Sequence, residues 1–464
     1  MFGTSEGVSS RGRIIILILA LVLVVALICA AVVSAFMNDT GAMTTREDIE
    51  AKLTELGETD LGHSYVANHL TDYGIGGFDA SRLRNVEFYF NTKYAGDLPS
   101  IPVMAYETAS LFMEYYFDRV DHSDRDTLTT AIIHCYVEST GDDYAVYRLP
   151  EEVEEFTDDM SGTFVGIGVS VIQTEDPVTG KLAEVLVDSV MPGSGALDAG
   201  VLPGDLIVAV DGTSIYDLTS NQLISMIRGD AGTRVVITVS RGGESIDISC
   251  ERRKIVESTV EYKVEGRIGY ITITSFKSNT DELFKEALSY MYTMEVEGIV
   301  FDVRRNPGGY LDSVLNVLDT IVGADTPLAS YEDASGMVVN YTSTGRGVPL
   351  LVPAVVLCNE YTASAGELFT AAMRDYNDMG IIDAEIVGVT TFGKGIMQST
   401  YSFFDGSSIT LTSAFYNPPS GINYHNIGIT PDHVVSESAE GDAQLDAAIA
   451  VLNRMIVESN GDLI

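Results

Sequence analysis

Residues 256–464 alternate short β-branched runs with amphipathic helical ones, and this alternation constrains the fold more than any other feature of the chain. Residues 268–274, 298–303 and 350–358 predict strands, whereas 280–294, 310–322 and 365–376 predict helices. Strands joined through helices build a largely parallel sheet, and the site of such a sheet opens at the carboxyl ends of its strands.

The period is different upstream. Residues 163–171 read as a strand entered through glycines, 206–210 as another ending at Asp211-Gly212, and 221–227 as a short helix. Residues 234–240 and 245–250 alternate on either side of Gly242-Gly243, which predicts a hairpin. A compact β-rich module therefore spans about 160–255. Residues 38–159 carry apolar positions at helical spacing and predict a mostly helical region. It closes on six acids in the nine residues 151–159, which read as a solvated hinge or loop.

At the other end, residues 14–37 run for 24 positions without a charge, long enough as helix to cross a bilayer core of about 30 Å. Arg11 and Arg13 precede this run and Asp39, Glu47 and Asp48 follow it. The expectation is a single-pass anchor in the cell membrane, with 1–13 cytoplasmic and the catalytic region, 256–464, extracytoplasmic. Val33-Ser34-Ala35 keeps a cleaved signal peptide open as the alternative. The fold class expected is multidomain α+β: a transmembrane helix, a helical region, a β-rich module and an α/β core. With 67 acidic against 27 basic residues, a formal charge of −40 argues against nucleic-acid binding. Four scattered cysteines, Cys29, Cys135, Cys250 and Cys358, suit neither a disulfide scaffold nor a zinc site, and no metal is expected.

Three strand exits carry unusual residues. Asp302-Val303-Arg304-Arg305-Asn306-Pro307-Gly308-Gly309 leaves backbone N–H groups uncovered at two glycines, donors able to hold a developing oxyanion, although Pro-Gly-Gly is also ordinary turn chemistry. Thr362-Ala363-Ser364-Ala365-Gly366-Glu367 puts a serine in the positive field of a helix N-terminus, where it suits a nucleophile. Ser364 with Glu367 equally matches a capping box, a purely structural reading. In Gly393-Lys394-Gly395 the glycines let the backbone pass close to a partner, and a buried amine loses basicity until its neutral form can accept a serine proton; a solvated lysine on a turn is the plain alternative. His425 and His433 flank a late loop and keep a Ser-His-Asp arrangement open.

In combination these segments resemble the carboxyl-terminal processing proteases, family S41 serine peptidases with an internal PDZ domain. The resemblance runs over about 163–435 and rests on Phe164-x-Gly166-Ile167-Gly168-Val169, Ala199-Gly200-x-x-x-Gly204-Asp205-x-Ile207, Val210-Asp211-Gly212, Ile227-Arg228-Gly229-x-x-Gly232-Thr233, the Asp302–Gly309 run, Thr362-Ala363-Ser364-Ala365 and Gly393-Lys394-Gly395-x-x-x-Gln398. It implies Ser364 as nucleophile, Lys394 as general base and Gln398 as the residue orienting the lysine. It also implies an oxyanion hole from Ala365 and a glycine of the turn, Gly308 or Gly309. The module at 160–255 would then be a PDZ domain that grips a terminal carboxylate on the amides of Phe164, Val165, Gly166, Ile167 and Gly168. The substrates implied are proteins with flexible C-termini, with no cofactor and with homo-oligomerisation left open. A catalytically inactive PDZ scaffold is the competing reading from the binding class.

Overall fold

The computed structural model describes residues 45–59, 61–175, 181–438 and 441–461. They form two compact units: the described residues up to Pro150 with Asp333–Met337 and Gln398–Ala414, and Glu151–Glu332 with Val338–Met397 and Phe415–Ile464.

The first unit is helical: α1 (Arg46–Leu56), α2 (Val66–Asp72), α3 (Ala80–Lys93), α4 (Ile101–Leu111) and α5 (Arg125–Ser139), followed by the short strand β1 (Val146–Arg148). Asp79 and Asp124 cap α3 and α5, their carboxylates accepting first-turn backbone N–H groups as good N-caps do. Tyr65, at the start of α2, offers no such side-chain bond. The buried Glu87 of α3 does this instead, accepting from Val66 N at 3.1 Å and Ala67 N at 3.0 Å. Tyr73, Phe90, Phe112 and Tyr136 fill the core of this unit.

The second unit opens with α6 (Pro150–Ser161). The acidic run 151–159, expected as a loop, is therefore helix. Val153, Phe156 and Met160 supply an apolar stripe at helical spacing, and Glu151 and Glu152 lie in the first turn, where the helix dipole favours negative charge. The strand expected over 163–171 is broken in two. β2 (Thr163–Gly166) pairs with the later β9 (Arg253–Val256), whereas β3 (Val169–Glu175) joins a separate sheet, and the chain turns between them at Gly168, whose φ is +76°.

That second sheet runs β3, β4 (Leu182–Val190), β5 (Leu206–Val210), β7 (Arg234–Arg241) and β8 (Glu244–Glu251), with β6 (Thr213–Ser214) beside β5. Two helices accompany it, α7 (Gly195–Ala199) and α8 (Ser220–Ile227). The β7–β8 hairpin closes at the Arg241–Glu244 pair around Gly242-Gly243. Ile207, Val210, Val235, Ile237 and Cys250 pack the small core.

β2 and β9 are the entry and exit strands of this β-rich module, and the segment 277–279 holds their base. Lys277, with its side chain only 11% exposed, pairs with Asp159 at 2.9 Å and with Glu257 at 2.7 Å. Ser278 Oγ donates to Ser161 O at 2.8 Å and Asn279 Nδ2 to Glu257 O at 2.9 Å.

A third sheet, in the order β10 (Val260–Glu265), β11 (Ile268–Ile273), β12 (Gly298–Asp302), β15 (Ala354–Cys358), β16 (Ala384–Gly388) and β19 (His433–Val434), is parallel except for its β10 edge. Four helices belong to this part: α9 (Thr280–Thr293), α10 (Leu311–Ile321), α11 (Ala365–Asp378) and α12 (Ala443–Gly461). The three on one face share a core with Ile271, Ile299, Phe301 and Val356, while α12 packs on Val300, Val355 and Leu357 from the other. Adjacent strand residues alternate between the two cores, which is why these strands are apolar throughout. β13 (Pro327–Asp333) and β14 (Val338–Thr342) form an antiparallel pair between α10 and β15. β17 (Ile396–Ser402) then leads out of this unit, and residues 398–414, including most of β18 (Ser408–Asn417), belong to the first, where Thr410 pairs with Val146.

Residues 375–385 comprise the end of α11, a turn and the start of β16, with Asp375 buried and accepting from Ser420 N at 2.8 Å. One further expectation is corrected. The fold class is multidomain α/β, and among the described residues no helix is long and apolar enough to cross a membrane, against the expected transmembrane helix. The expected span 14–37 lies outside the described residues, as does the expected cytoplasmic segment 1–13.

Candidate active site

The three strand exits meet at the carboxyl ends of β12, β15 and β16. Ala363 N donates to Asn306 O at 2.9 Å, Thr362 Oγ1 to Val303 O at 2.8 Å, and Phe392 N to Thr362 O at 3.0 Å. The first exit is fixed by its own polar residues. Arg304 binds Asp302 through Nε and Nη2 and reaches Asp442 at 2.8 Å, so this pair braces the loop. Buried Asn306 turns its Oδ1 to Gly308 N at 2.8 Å and its Nδ2 to Ile273 O at 2.8 Å.

Both glycines of that turn are demanded by space. A β-carbon on Gly308, whose φ is +106°, would stand 2.7 Å from the Ser364 Cβ and 3.0 Å from Ala365 N. On Gly309 it would lie 2.1 Å from Phe276 O. Phe276 N donates to Gly308 O at 2.8 Å and Tyr310 N to Phe276 O at 2.7 Å, so the turn is pinned on both sides of Gly309. The Gly308 N–H is thus engaged by Asn306. Ala365 N belongs to the first turn of α11, where the helix itself supplies no acceptor.

Ser364 distinguishes itself from an ordinary cap by its backbone. A capping serine is normally extended, as Ser194 is at φ −78° and ψ 159°. Ser364 has φ +53° and ψ −119°, a conformation that costs a non-glycine residue about 1–3 kcal/mol and that persists where surrounding structure imposes it. A sharp, strained strand-to-helix turn also carries the nucleophile of other hydrolases, because it lifts the hydroxyl clear of the sheet.

What imposes it is Glu367, which the sequence singles out only as a capping-box partner. This carboxylate is buried beneath the junction of the two loops. Its Oε2 accepts from Ser364 N at 3.0 Å and Lys394 N at 2.7 Å, and its Oε1 from Thr391 Oγ1 at 2.6 Å and Gly393 N at 2.6 Å. The serine and lysine backbones therefore share one carboxylate oxygen. Burial pushes the Glu367 carboxyl above its ordinary range, while the four donors pull it back toward the charged form. Tyr416 and Tyr424 close the same corner; both are buried, and neither is visible as a site residue in the sequence.

The remaining expected residues are placed as follows. Gln398 lies in the first unit, where its amide donates to Tyr144 O. Phe164, Val165 and Gly166 are paired in register with Ile255, Lys254 and Arg253. Ile167 O and Gly168 O accept from Ala196 N and Met191 N, each at 2.9 Å, and the Arg228 guanidinium stands over the Phe164 ring, 5.5 Å from its centre. His433 bonds Glu385, which also holds Arg454 at 2.6 Å, and the His425 ring meets Phe415 edge-on. Among the described residues no group of three or more His, Cys, Asp or Glu side chains is arranged to hold a metal ion.

Comparison with known proteins agrees with this architecture. Residues 267–435 match the model of peptidase family S41, and residues 186–241 match that of a PDZ domain. The chain is 35% identical over 308 residues to a protein of Staphylococcus haemolyticus named "Probable CtpA-like serine protease", covering 66% of this chain and 59% of the relative. It is 34% identical over 316 residues to a protein of the same name from Staphylococcus aureus strain COL, covering 68% and 61%. The chain thus spans about three fifths of the length of the curated relatives it matches. A solved structure from Bacteroides fragilis assigned to the S41 proteases superposes with a TM-score of 0.50 over 80% of this chain and 97% of its own, at 17% identity, which speaks to the fold. By these matches residues 267–435 belong to peptidase family S41, and the β-rich module ahead of them contains a PDZ domain.

Proposed function

We propose that the chain is a serine endopeptidase that recognises flexible C-terminal tails of proteins through its PDZ domain and cleaves peptide bonds through an acyl-enzyme on Ser364. The observation that carries this reading is the strained backbone of Ser364, held with Lys394 on the one buried carboxylate of Glu367. That arrangement aims a hydroxyl at the head of α11 and brings an amine-bearing loop beside it.

Ser364 Oγ attacks the scissile carbonyl as Lys394 Nζ takes its proton. The oxyanion that forms is held by Ala365 N and by the glycine turn, with Gly309 as the donor beyond the engaged Gly308 N–H. The lysine returns the proton to the leaving amine, and water then hydrolyses the ester. Gln398, four residues beyond the lysine, is the residue assigned to orient it. The PDZ domain captures a tail by strand addition, with Ile167 and Gly168 at the carboxylate.

Ser364→Ala is expected to abolish cleavage of a denatured protein while leaving binding of a C-terminal peptide unchanged. Labelling by a serine-reactive phosphonate should map to Ser364. Equal proteolysis by variant and parent, or a label elsewhere, would remove Ser364 from the mechanism. Retained tail binding without cleavage in the parent chain would instead support the scaffold reading.

A further inference from the structure

The Ser364 and Lys394 loops are joined on one side by Glu367, and on the other side a packed pair of tyrosines touches both. Tyr416, at the end of β18, is fully enclosed and donates from Oη to the Lys394 carbonyl oxygen at 3.0 Å. Tyr424 Oη also lies 3.4 Å from the Ser364 carbonyl oxygen, and the two tyrosine rings meet edge to face, 6.1 Å between centres.

The loop carrying Tyr424 is fastened independently. Asn423 Nδ2 donates to Gly395 O at 2.9 Å and to Tyr416 O at 2.7 Å, and Asn426 N to Gly393 O at 2.8 Å. The tyrosine pair therefore has little freedom to turn away. A phenol has one hydrogen to donate and two lone pairs to offer. Here the Tyr416 hydrogen goes to the Lys394 carbonyl and the Tyr424 hydrogen to the Ser364 carbonyl. Two phenols enclosed among apolar side chains, rather than a lone surface hydroxyl, are an expensive way to fill space unless each polar end has a task.

We propose that Tyr416 and Tyr424 are positioning residues for the reaction of Ser364: the Tyr416 hydroxyl holds the Lys394 backbone, the Tyr424 hydroxyl holds the Ser364 backbone, and the packed pair of rings fixes the two loops against each other. The inference rests on the assignment of Ser364 and Lys394 made above. It assigns to a pair of phenols the aiming role that an imidazole and its carboxylate share in a Ser-His-Asp triad. An error of about 1 Å in such aiming costs about 100-fold in rate, which sets the upper end of the expected effect.

The test uses the full chain with Tyr416→Phe and Tyr424→Phe, each of which keeps its ring. For Tyr416→Phe, kcat on a peptide substrate and the rate of Ser364 labelling by a small phosphonate should both fall about 10- to 100-fold, with KM within about 2-fold of the parent. Tyr424→Phe should lose about 3- to 10-fold in the same two rates. Because the phosphonate is too small to need the PDZ domain, a defect in tail capture leaves its labelling rate unmoved. Parental or faster labelling in Tyr416→Phe, or a loss confined to KM, would overturn the proposal. Should Tyr416→Phe fail to fold, the Tyr424→Phe labelling rate decides, and a parental value counts against it. Ser364→Ala and Lys394→Ala run alongside; activity surviving in either refutes the underlying assignment and the tyrosine role with it, whereas their inactivity beside an unaffected Tyr416→Phe refutes the tyrosine role alone.

Discussion

Replacing Glu367 by glutamine changes one oxygen into an NH2 group and almost nothing in volume. Because each carboxylate oxygen accepts two donors, either orientation of the new amide turns N–H against two hydrogen-bond donors: Ser364 N and Lys394 N on one side, Thr391 Oγ1 and Gly393 N on the other. Each buried donor left without an acceptor costs about 1–3 kcal/mol, so the strained arrangement loses about 2–6 kcal/mol of local support. That is at least as large as the cost of holding Ser364 at positive φ, about 1–3 kcal/mol, and the serine should relax toward an extended cap. At 1.4 kcal/mol per tenfold, kcat should fall at least about 25-fold, by about the energy that kept the hydroxyl aimed. The assay is single-turnover labelling of Ser364 by a phosphonate, read with thermal unfolding of the same sample. Labelling at the parental rate by a folded Glu367→Gln protein would refute the claim that this carboxylate sets the nucleophile.

Three other outcomes follow from particular contacts. Gly308→Ala puts a β-carbon 2.7 Å from the Ser364 Cβ at a φ of +106°, so labelling of Ser364 should fall more than about 10-fold while circular dichroism stays parental. Burial pushes the Glu87 carboxyl from 4.5 up to about 7, despite its two backbone donors. The folded first unit therefore keeps a proton that the unfolded chain has lost, and its stability declines as pH rises from 4.5 through 7, by about 3 kcal/mol in all, then levels off; denaturant titrations of Glu87→Gln should show that slope removed. In the PDZ domain, Arg241 Nε reaches the buried Asp205 carboxylate at 2.6 Å and holds it below the usual carboxylate range. Arg241→Ala should destabilise that domain, seen as an earlier unfolding of its hydrogen-exchange-protected amides.

The sequence disclosed what is chemically local. Strands and helices of the α/β region announce themselves through periodicity over ten or so residues, and the three junctions through glycines placed where backbone must approach backbone. The hairpin at Gly242-Gly243 is legible for the same reason. What escaped the sequence depends on distant partners or on competing local signals. The run 151–159 carries a helical apolar stripe at Val153, Phe156 and Met160, but six acids mask it when charge alone is counted. The strand 163–171 looks continuous because nothing in its alternation records that β2 finds its partner in β9, beyond the whole PDZ domain. Glu87 caps a helix that begins 21 residues before it, Lys277 neutralises a carboxylate 118 residues away, Tyr416 meets Lys394 across 22 residues and Tyr424 meets Ser364 across 60. For Glu367 the local motif was read correctly and its meaning only halved: the Ser364 N bond is the capping-box contact, yet the same carboxylate takes Thr391, Gly393 and Lys394 as well, contacts that exist only once β16 lies beside β15. A capping residue with three lone pairs to spare becomes the joint of the proposed catalytic centre when the topology delivers a second loop to it, and tertiary pairing, not motif, is where that second loop is written.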